Sequence, residues 1–160
     1  MINVEVKKHE NRLLAAVRED IAAHERILGI LAEQEASVRR PADERFQEAT
    51  AALERELSRV PQRKIRRERA LKGLAERFGV AASALTIGSI VERLGDDDSA
   101  LARDRERLRE LADEVKRCNR RVATLVRLHR QVTRELIQVV LGPSDGSDVH
   151  AGGSLIDAEV

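Results

Sequence analysis

The sequence predicts an all-α fold: an elongated antiparallel bundle or coiled coil of three long helices plus one short helix, with a disordered C-terminal tail. The first observation is composition, because 42% of the 160 residues are hydrophobic and 36% are charged, but only about 1% are aromatic. A core of Leu, Val, Ile and Ala with abundant Arg and Glu is typical of helical bundles rather than of β-sandwiches or α/β enzymes. The second observation is that apolar residues recur at spacings of three and four, which indicates helices that bury one side.

The first long helix is predicted over residues 3–39. Asn3 is a suitable N-cap, and Glu5 places a negative charge in the first turn, where it favours the helix dipole. Pro41 disfavours a helical conformation in the residue before it, so the helix is expected to end there. The main apolar residues at helical spacing are Val6, Leu13, Val17, Ile21, Leu28, Leu31 and Val38.

The second long helix is expected to begin at Pro41 or Ala42, since proline is tolerated at the first helical position, and to reach Phe78. The connection to the first helix is short, which predicts that the two are antiparallel. Pro61 interrupts the apolar pattern, because proline removes a backbone donor and clashes with the preceding turn. The pattern fits one kinked helix, and it equally fits two helices that break near Val60.

An irregular region is predicted at residues 80–98. Gly79 is a natural residue to end the second helix. Thr86 or Ser83 is expected to cap a short helix that ends at Gly95. Residues 96–98, all Asp, and Ser99 then place negative charge and a cap at the start of the next helix.

The third long helix is predicted over Ser99–Leu141 and carries the longest apolar seam in the chain. Counted as heptads from Leu101, the seam is interrupted only by Asp104 and His129. Its apolar members are Leu101, Leu108, Leu111, Val115, Cys118, Val122, Leu125, Val132, Leu136 and Val139. Towards the end the stripe is widened by Leu128, Ile137, Val140 and Leu141. This width suits a helix that fills the groove between two others, and it also suits helix-in-groove binding of another chain or self-association.

The segment after the third helix, GPSDGSDVHAGGSLIDAEV, is rich in Gly, Ser and Asp, which predicts a flexible tail. We therefore divide the chain into a helical domain at residues 1–141 and a tail at residues 142–160. Leu155 and Ile156 form the last hydrophobic pair of the tail and are its only residues expected to bind a partner.

Charge and targeting signals predict a cytoplasmic protein. The formal net charge is +1 with both signs interspersed, so there is no global attraction to nucleic acid or to an anionic membrane. The single cysteine gives no evidence of an oxidising compartment. The N-terminus lacks the apolar stretch of a signal peptide, and no segment approaches the roughly 20 apolar residues that cross a bilayer.

No catalytic, cofactor or metal site is predicted, so the protein is not expected to be an enzyme. The GxxxxGK[ST] and GxGxxG patterns are absent, and no histidine has a second His or Cys at ligand spacing. A basic run is interpreted as a solvated helix face, with nucleic acid or an acidic protein surface as alternative partners; it has no aromatic residues for base stacking. The run comprises Arg59, Arg63, Lys64, Arg66, Arg67 and Arg69.

Three stretches, taken together and in order, resemble the FlgN family of flagellar type III export chaperones. CNRRVATLV in the third helix is similar to the family pattern apolar-Asn-x-x-Asn-x-x-Leu-Leu, with Asn119 at the first Asn and Val122 and Val126 in place of the second Asn and the second Leu. Upstream, ERALKGLAERFGVAASALTIGSIVERL resembles the family segment Glu-Arg-x-x-Leu-x-x-Leu-Ala-x-x-Leu-Gly. The ending GGSLIDAEV is similar to the Gly-rich ending of many members.

The resemblance implies a non-enzymatic cytosolic chaperone that binds a C-terminal amphipathic segment of the hook-filament junction proteins (flagellar hook-associated proteins). It would keep them monomeric and deliver them to the export apparatus, so its expected partners also include export gate and ATPase components. The alternatives are a self-associating structural coiled coil, including a homodimer, and a nucleic-acid-binding helical protein. The predicted partner-binding residues are Asn119, Val122, Leu125, Leu128, Val132, Leu136, Val139, Val140, Leu155 and Ile156.

Overall fold

The computed structural model describes residues 4–38, 44–95 and 99–141, and it confirms the all-α prediction because no strand occurs in these ranges. The helices are α1 (Val4–Ser37), α2 (Glu44–Ser58), α3 (Val60–Phe78), α4 (Ile87–Leu94) and α5 (Ala100–Leu141), with a 3₁₀ turn at Ala82–Ala84. A search of the described helices for a membrane-spanning segment finds none of sufficient length and hydropathy.

α1 is the central helix, since it packs against α2, α3 and α5. The ion pairs show that α2 and α3 run antiparallel to α1. Arg26 of α1 pairs with Glu56 of α2, whereas Glu19, one and a half to two turns nearer the N-terminus, pairs with Arg66 further along the chain. α5 returns in the same direction as α1, so the three long rods run up, down and up.

The core consists of two apolar clusters along α1. The first joins the N-terminal part of α1 to α3, α4 and the start of α5. Its buried members are Leu13, Val17, Ala70, Leu74, Ala75, Leu85, Ile90, Val91 and Leu101. The second joins the C-terminal part of α1 to α2 and the middle of α5. Its buried members are Ile27, Leu31 and Val122, with Leu53, Val115, Cys118 and Val126 packed against them.

The structure has two helices at Pro61 rather than one kinked helix. Arg59 is the single residue between α2 and α3. The break occurs here because Pro61 has no backbone N–H with which to continue the hydrogen bonding of α2. Arg59 keeps a right-handed helical conformation (φ −88°, ψ −11°), and α3 continues along α1 in the direction set by α2.

Buried charges hold this break against α1. The Glu56 carboxylate, of which 8% is exposed, accepts hydrogen bonds from Arg26 at 3.1 Å and Arg59 at 2.9 Å. The hydrogen bond from Arg26 and the surrounding positive charge lower the pKa of Glu56 below its ordinary value, against the opposing effect of burial. Arg63 is also buried and lies 3.5 Å from Glu56 and 3.6 Å from Asp20 of α1.

The interpretation of the basic run as a solvated face is therefore wrong for Arg63. Arg66 and Arg67 pair with Glu19 and Asp20 of α1, because their helix lies antiparallel along the acidic side of α1. The Arg66 side chain is still 58% exposed, so for this residue the solvated face was predicted correctly.

The predicted helix ends are found where the structure describes them. Thr86 caps α4 in a capping box with Ser89, and the Ser99 hydroxyl accepts from a backbone N–H of α5 at 3.2 Å. Gly79 and Gly95 end α3 and α4 with φ values of 65° and 63°, a left-handed conformation that only glycine adopts without strain. α1 ends at Ser37, two residues before the predicted boundary. The predicted caps and starts at Asn3, Pro41, Ala42 and residues 96–98 lie outside the described residues.

α1 and α3 approach each other closely at Gly73. A Cβ atom added there would lie 2.3 Å from Nδ1 and 2.4 Å from Cε1 of His9. The imidazole of His9 therefore occupies a notch in α3 that the missing side chain leaves open. Its Nδ1 is buried and has no hydrogen-bond partner among the described residues.

Candidate partner-binding surface

α5 extends beyond the end of α1. The pairs Arg18–Asp104 (2.7 Å) and Glu35–Arg121 (3.2 Å) each join residues 86 positions apart, so the two helices are parallel and in one register. This register places Ser37, where α1 ends, level with about residue 123 of α5. The following residues, 124–141, are named the α5 extension here; at 1.5 Å per residue they continue for roughly 27 Å.

Burial along the α5 seam follows this register. Leu101 and Leu111 are 1% exposed and Val122 is 6% exposed, because α1 covers this part of the helix. Leu125 and His129 are half-buried at the boundary. Beyond them the exposed fractions range from 45% to 81% in Leu128, Val132, Leu136, Val139 and Val140. The first part of the seam thus fills the bundle, and the described helices leave the last part uncovered.

The predicted partner-binding residues fall into different environments. Val122 belongs to the bundle core, because it packs in one cluster with Ile27 and Leu31, so it is not part of an accessible surface. Asn119 is exposed on α5. Leu155 and Ile156 lie outside the described residues.

The apolar residues at and beyond this boundary form one stripe. The apolar stripe is defined as Leu125, Leu128, Val132, Leu136, Val139 and Val140. At 100° per residue its members fall within a sector of about 120° around the helix. Ile137, which the predicted set omitted, is 51% exposed and lies about 60° beyond one edge of this sector. The sequence could have indicated Ile137, because it lies beside the seam and widens the apolar side of the helix.

Polar side chains near the stripe form hydrogen bonds within their own helix. Gln131 donates to Glu135 at 2.9 Å, and the Thr133 hydroxyl donates to the backbone carbonyl of His129 at 2.9 Å. The stripe itself offers only hydrocarbon. The chemistry available to it is helix-to-helix packing against another apolar face. Complete burial of the five exposed Leu and Val side chains of the stripe is worth on the order of 5 kcal/mol before the cost of ordering is subtracted.

The comparisons with known proteins give one match. A family model described as FlgN protein matches residues 1–149, which includes all the described helices. No curated protein and no solved structure matches the chain significantly.

Proposed function

Because the chain belongs to the FlgN family and is therefore a flagellar export chaperone, we propose that its clients are the hook-filament junction proteins. The segment bound is the C-terminal amphipathic segment of the client. The chaperone keeps the client monomeric in the cytoplasm and delivers it to the type III export apparatus.

The observation that carries this proposal is the apolar stripe on the α5 extension. Subunits that polymerise through apolar helices associate prematurely when those faces are exposed to water. A client helix that packs along the stripe covers its own apolar face and the stripe together. Since the stripe beyond Leu125 is exposed in the described bundle, a client reaches it without displacing a core helix.

The size of the stripe fits a reversible interaction. Its six side chains come from a single helix, so a client gains only part of the area of a typical stable protein interface. Part of the free energy of burial is offset by the ordering of the client segment. A chaperone must release its client at the export apparatus, and moderate affinity meets that requirement.

Two further parts of the chain are assigned to the client. Asn119 matches the family motif and is exposed, and we assign it to a hydrogen bond with a client backbone group. Leu155 and Ile156 are assigned to an apolar contact with the bound client. The export gate and ATPase components are proposed as later partners on family membership alone.

The test is a pair of charge substitutions in the stripe, Val132→Asp with Leu136→Asp. Binding of a peptide with the client's C-terminal sequence, measured by titration calorimetry, is expected to be abolished, while far-ultraviolet circular dichroism stays helical. The matched control is Gln131→Asp with Gln138→Asp, which adds the same charge on another side of the helix and is expected to retain binding. Equal loss in both variants would count against the stripe as the binding surface.

Self-association through the stripe is separated from client binding by sedimentation of the unliganded protein. A mass that rises with concentration, and that the stripe variant reduces to the monomer value, would assign the stripe to a homodimer. A constant monomer mass leaves the stripe available to a client.

A further inference from the structure

α5 is divided into two parts of different charge. Residues 99–115 contain four arginines and five acidic residues, whereas residues 116–141 contain seven Lys and Arg and a single acid, Glu135. The small net charge of the whole chain hides this division. The bundle-facing part of the helix is balanced, and the part that includes the α5 extension is strongly cationic.

Four of these cations form a ridge. Arg120, Arg127 and Arg134 are spaced by seven residues and so lie in a line about 21 Å long, with Arg130 beside it. All four are exposed, and the helix period places them on the side of α5 opposite the apolar stripe. We call these four residues the arginine ridge.

The arginine ridge has no carboxylate partner in the described part of the chain. Elsewhere on the same helix, Arg107 pairs with Glu25 and Arg121 pairs with Glu35, because α1 brings acids to them. The ridge faces away from α1 and receives none of these acids. Four like charges within about 21 Å repel one another and favour an anionic neighbour.

We propose that the neighbour is the acidic C-terminal segment of the same chain, residues 142–160, which folds back along the arginine ridge. This segment contains Asp145, Asp148, Asp157 and Glu159 and no Lys or Arg, so its charge complements the ridge. The inference concerns the chaperone without a client and does not depend on the identity of the client; the contact of Leu155 and Ile156 proposed above belongs to the client-bound state.

The length of the segment permits this contact. Arg134 lies about 10 Å before the end of α5 along the helix axis, and four extended residues from Leu141 to Asp145 span roughly 13 Å. Arg127 lies about 21 Å back, and seven extended residues to Asp148 span roughly 23 Å. Gly142 and Pro143 directly follow α5, and this pair of residues stops a helix and favours a change of chain direction.

Other occupants are less well supported. A second copy of the chain would bring another cationic α5 extension beside the first, which is repulsive. Nucleic acid or an acidic protein must compete with a segment tethered directly after α5, whose effective concentration at the ridge is in the millimolar range. Because the contact is between charged groups, added salt is expected to weaken it.

The experiment is paramagnetic relaxation enhancement on the full chain. A nitroxide is attached at Ser154→Cys in a Cys118→Ala background, and the amide signals of residues 120–134 are recorded at low salt and in about 0.5 M NaCl, where electrostatic screening is strong. The expected result is loss of most signal intensity along the ridge at low salt and recovery at high salt.

Two charge variants make the test specific. Arg127→Gln with Arg134→Gln is expected to restore the ridge signals at low salt. Arg103→Gln with Arg109→Gln removes the same charge from exposed positions in the first part of α5 and is expected to leave the enhancement unchanged. The proposal is overturned by an absence of enhancement, by equal effects of the two variants, or by an enhancement that salt does not change. The last result would instead place Leu155 and Ile156 on an apolar surface.

Discussion

Substitution of Gly73 by alanine tests the close approach of α1 to α3 at His9. An alanine in a helix interior normally stabilises by about 1 kcal/mol relative to glycine. Here the new Cβ would lie 2.3 Å from His9 Nδ1, at least 1 Å inside ordinary contact distance. Overpacking of this kind costs about 1–3 kcal/mol, so we expect Gly73→Ala alone to be neutral or destabilising.

The His9→Ala background removes the obstacle, so Gly73→Ala should there stabilise by about 1 kcal/mol. The predicted coupling between the two positions is therefore about 1–3 kcal/mol, the size of the overpacking term. Urea unfolding of all four proteins, followed by far-ultraviolet circular dichroism, measures it. A coupling within about 0.5 kcal/mol of zero, the range expected for independent sites, would refute the close packing of His9 in the α3 notch.

Three further predictions concern charge and the two parts of α5. Glu56→Gln should lower the free energy of unfolding at pH 7 by about 2–3 kcal/mol, because Arg63 loses a buried partner. Since the pKa of Glu56 is lowered from 4.5, its carboxylate stabilises the fold above that pH, and the difference between variant and wild type should shrink as pH falls below 4.5, measured by urea unfolding across pH. Hydrogen exchange should be slow at residues 101–122 and fast at residues 128–140, because a helix end without tertiary packing is marginal; similar protection in both would show that the extension is covered. Val122→Asp should cause cooperative unfolding at lower urea, whereas Val132→Asp should leave the urea midpoint nearly unchanged.

The helices could be predicted because their determinants are local. The seam period predicts α5, and Gly79, Thr86 and Gly95 predict ends that depend only on neighbouring residues. Asp104 interrupts the seam in the sequence but is accommodated in the structure, since it accepts from Arg18 of α1 at 2.7 Å. At this position the polar seam residue reflects a partner on the opposing helix rather than an error in the pattern.

The covered length of α5 could not be predicted, because the register between two helices depends on contacts far apart in sequence. Val122 and Val132 occupy equivalent apolar positions in the seam, but Val122 is buried and Val132 is exposed. The resemblance placed both residues in one binding surface. They differ because α1 ends between them, so that it covers Val122 but does not reach Val132.

The buried ion pairs were missed for a different reason. The basic run predicts a solvated face for Arg63, and no role is predicted for Glu56, although Ala49, Glu56, Arg63 and Ala70 are spaced by seven residues and all are buried. This row continues across Pro61. Asp20 of α1 similarly shares a heptad row with Leu13. A charged residue in such a row is buried only if the opposing helix supplies a partner, because burial of an unpaired charge is costly. The sequence of one helix does not show that partner.

The parallel register of α1 and α5 divides α5 into a part that is covered by the bundle and the exposed α5 extension, and different requirements act on the sequences of the two parts. Substitutions before about residue 123 act on folding, whereas under the proposed function those in the α5 extension act on client binding. Insertion or loss of a heptad in the extension would change its length and leave the bundle intact. The preference for a client could therefore change at little cost to the stability of the bundle.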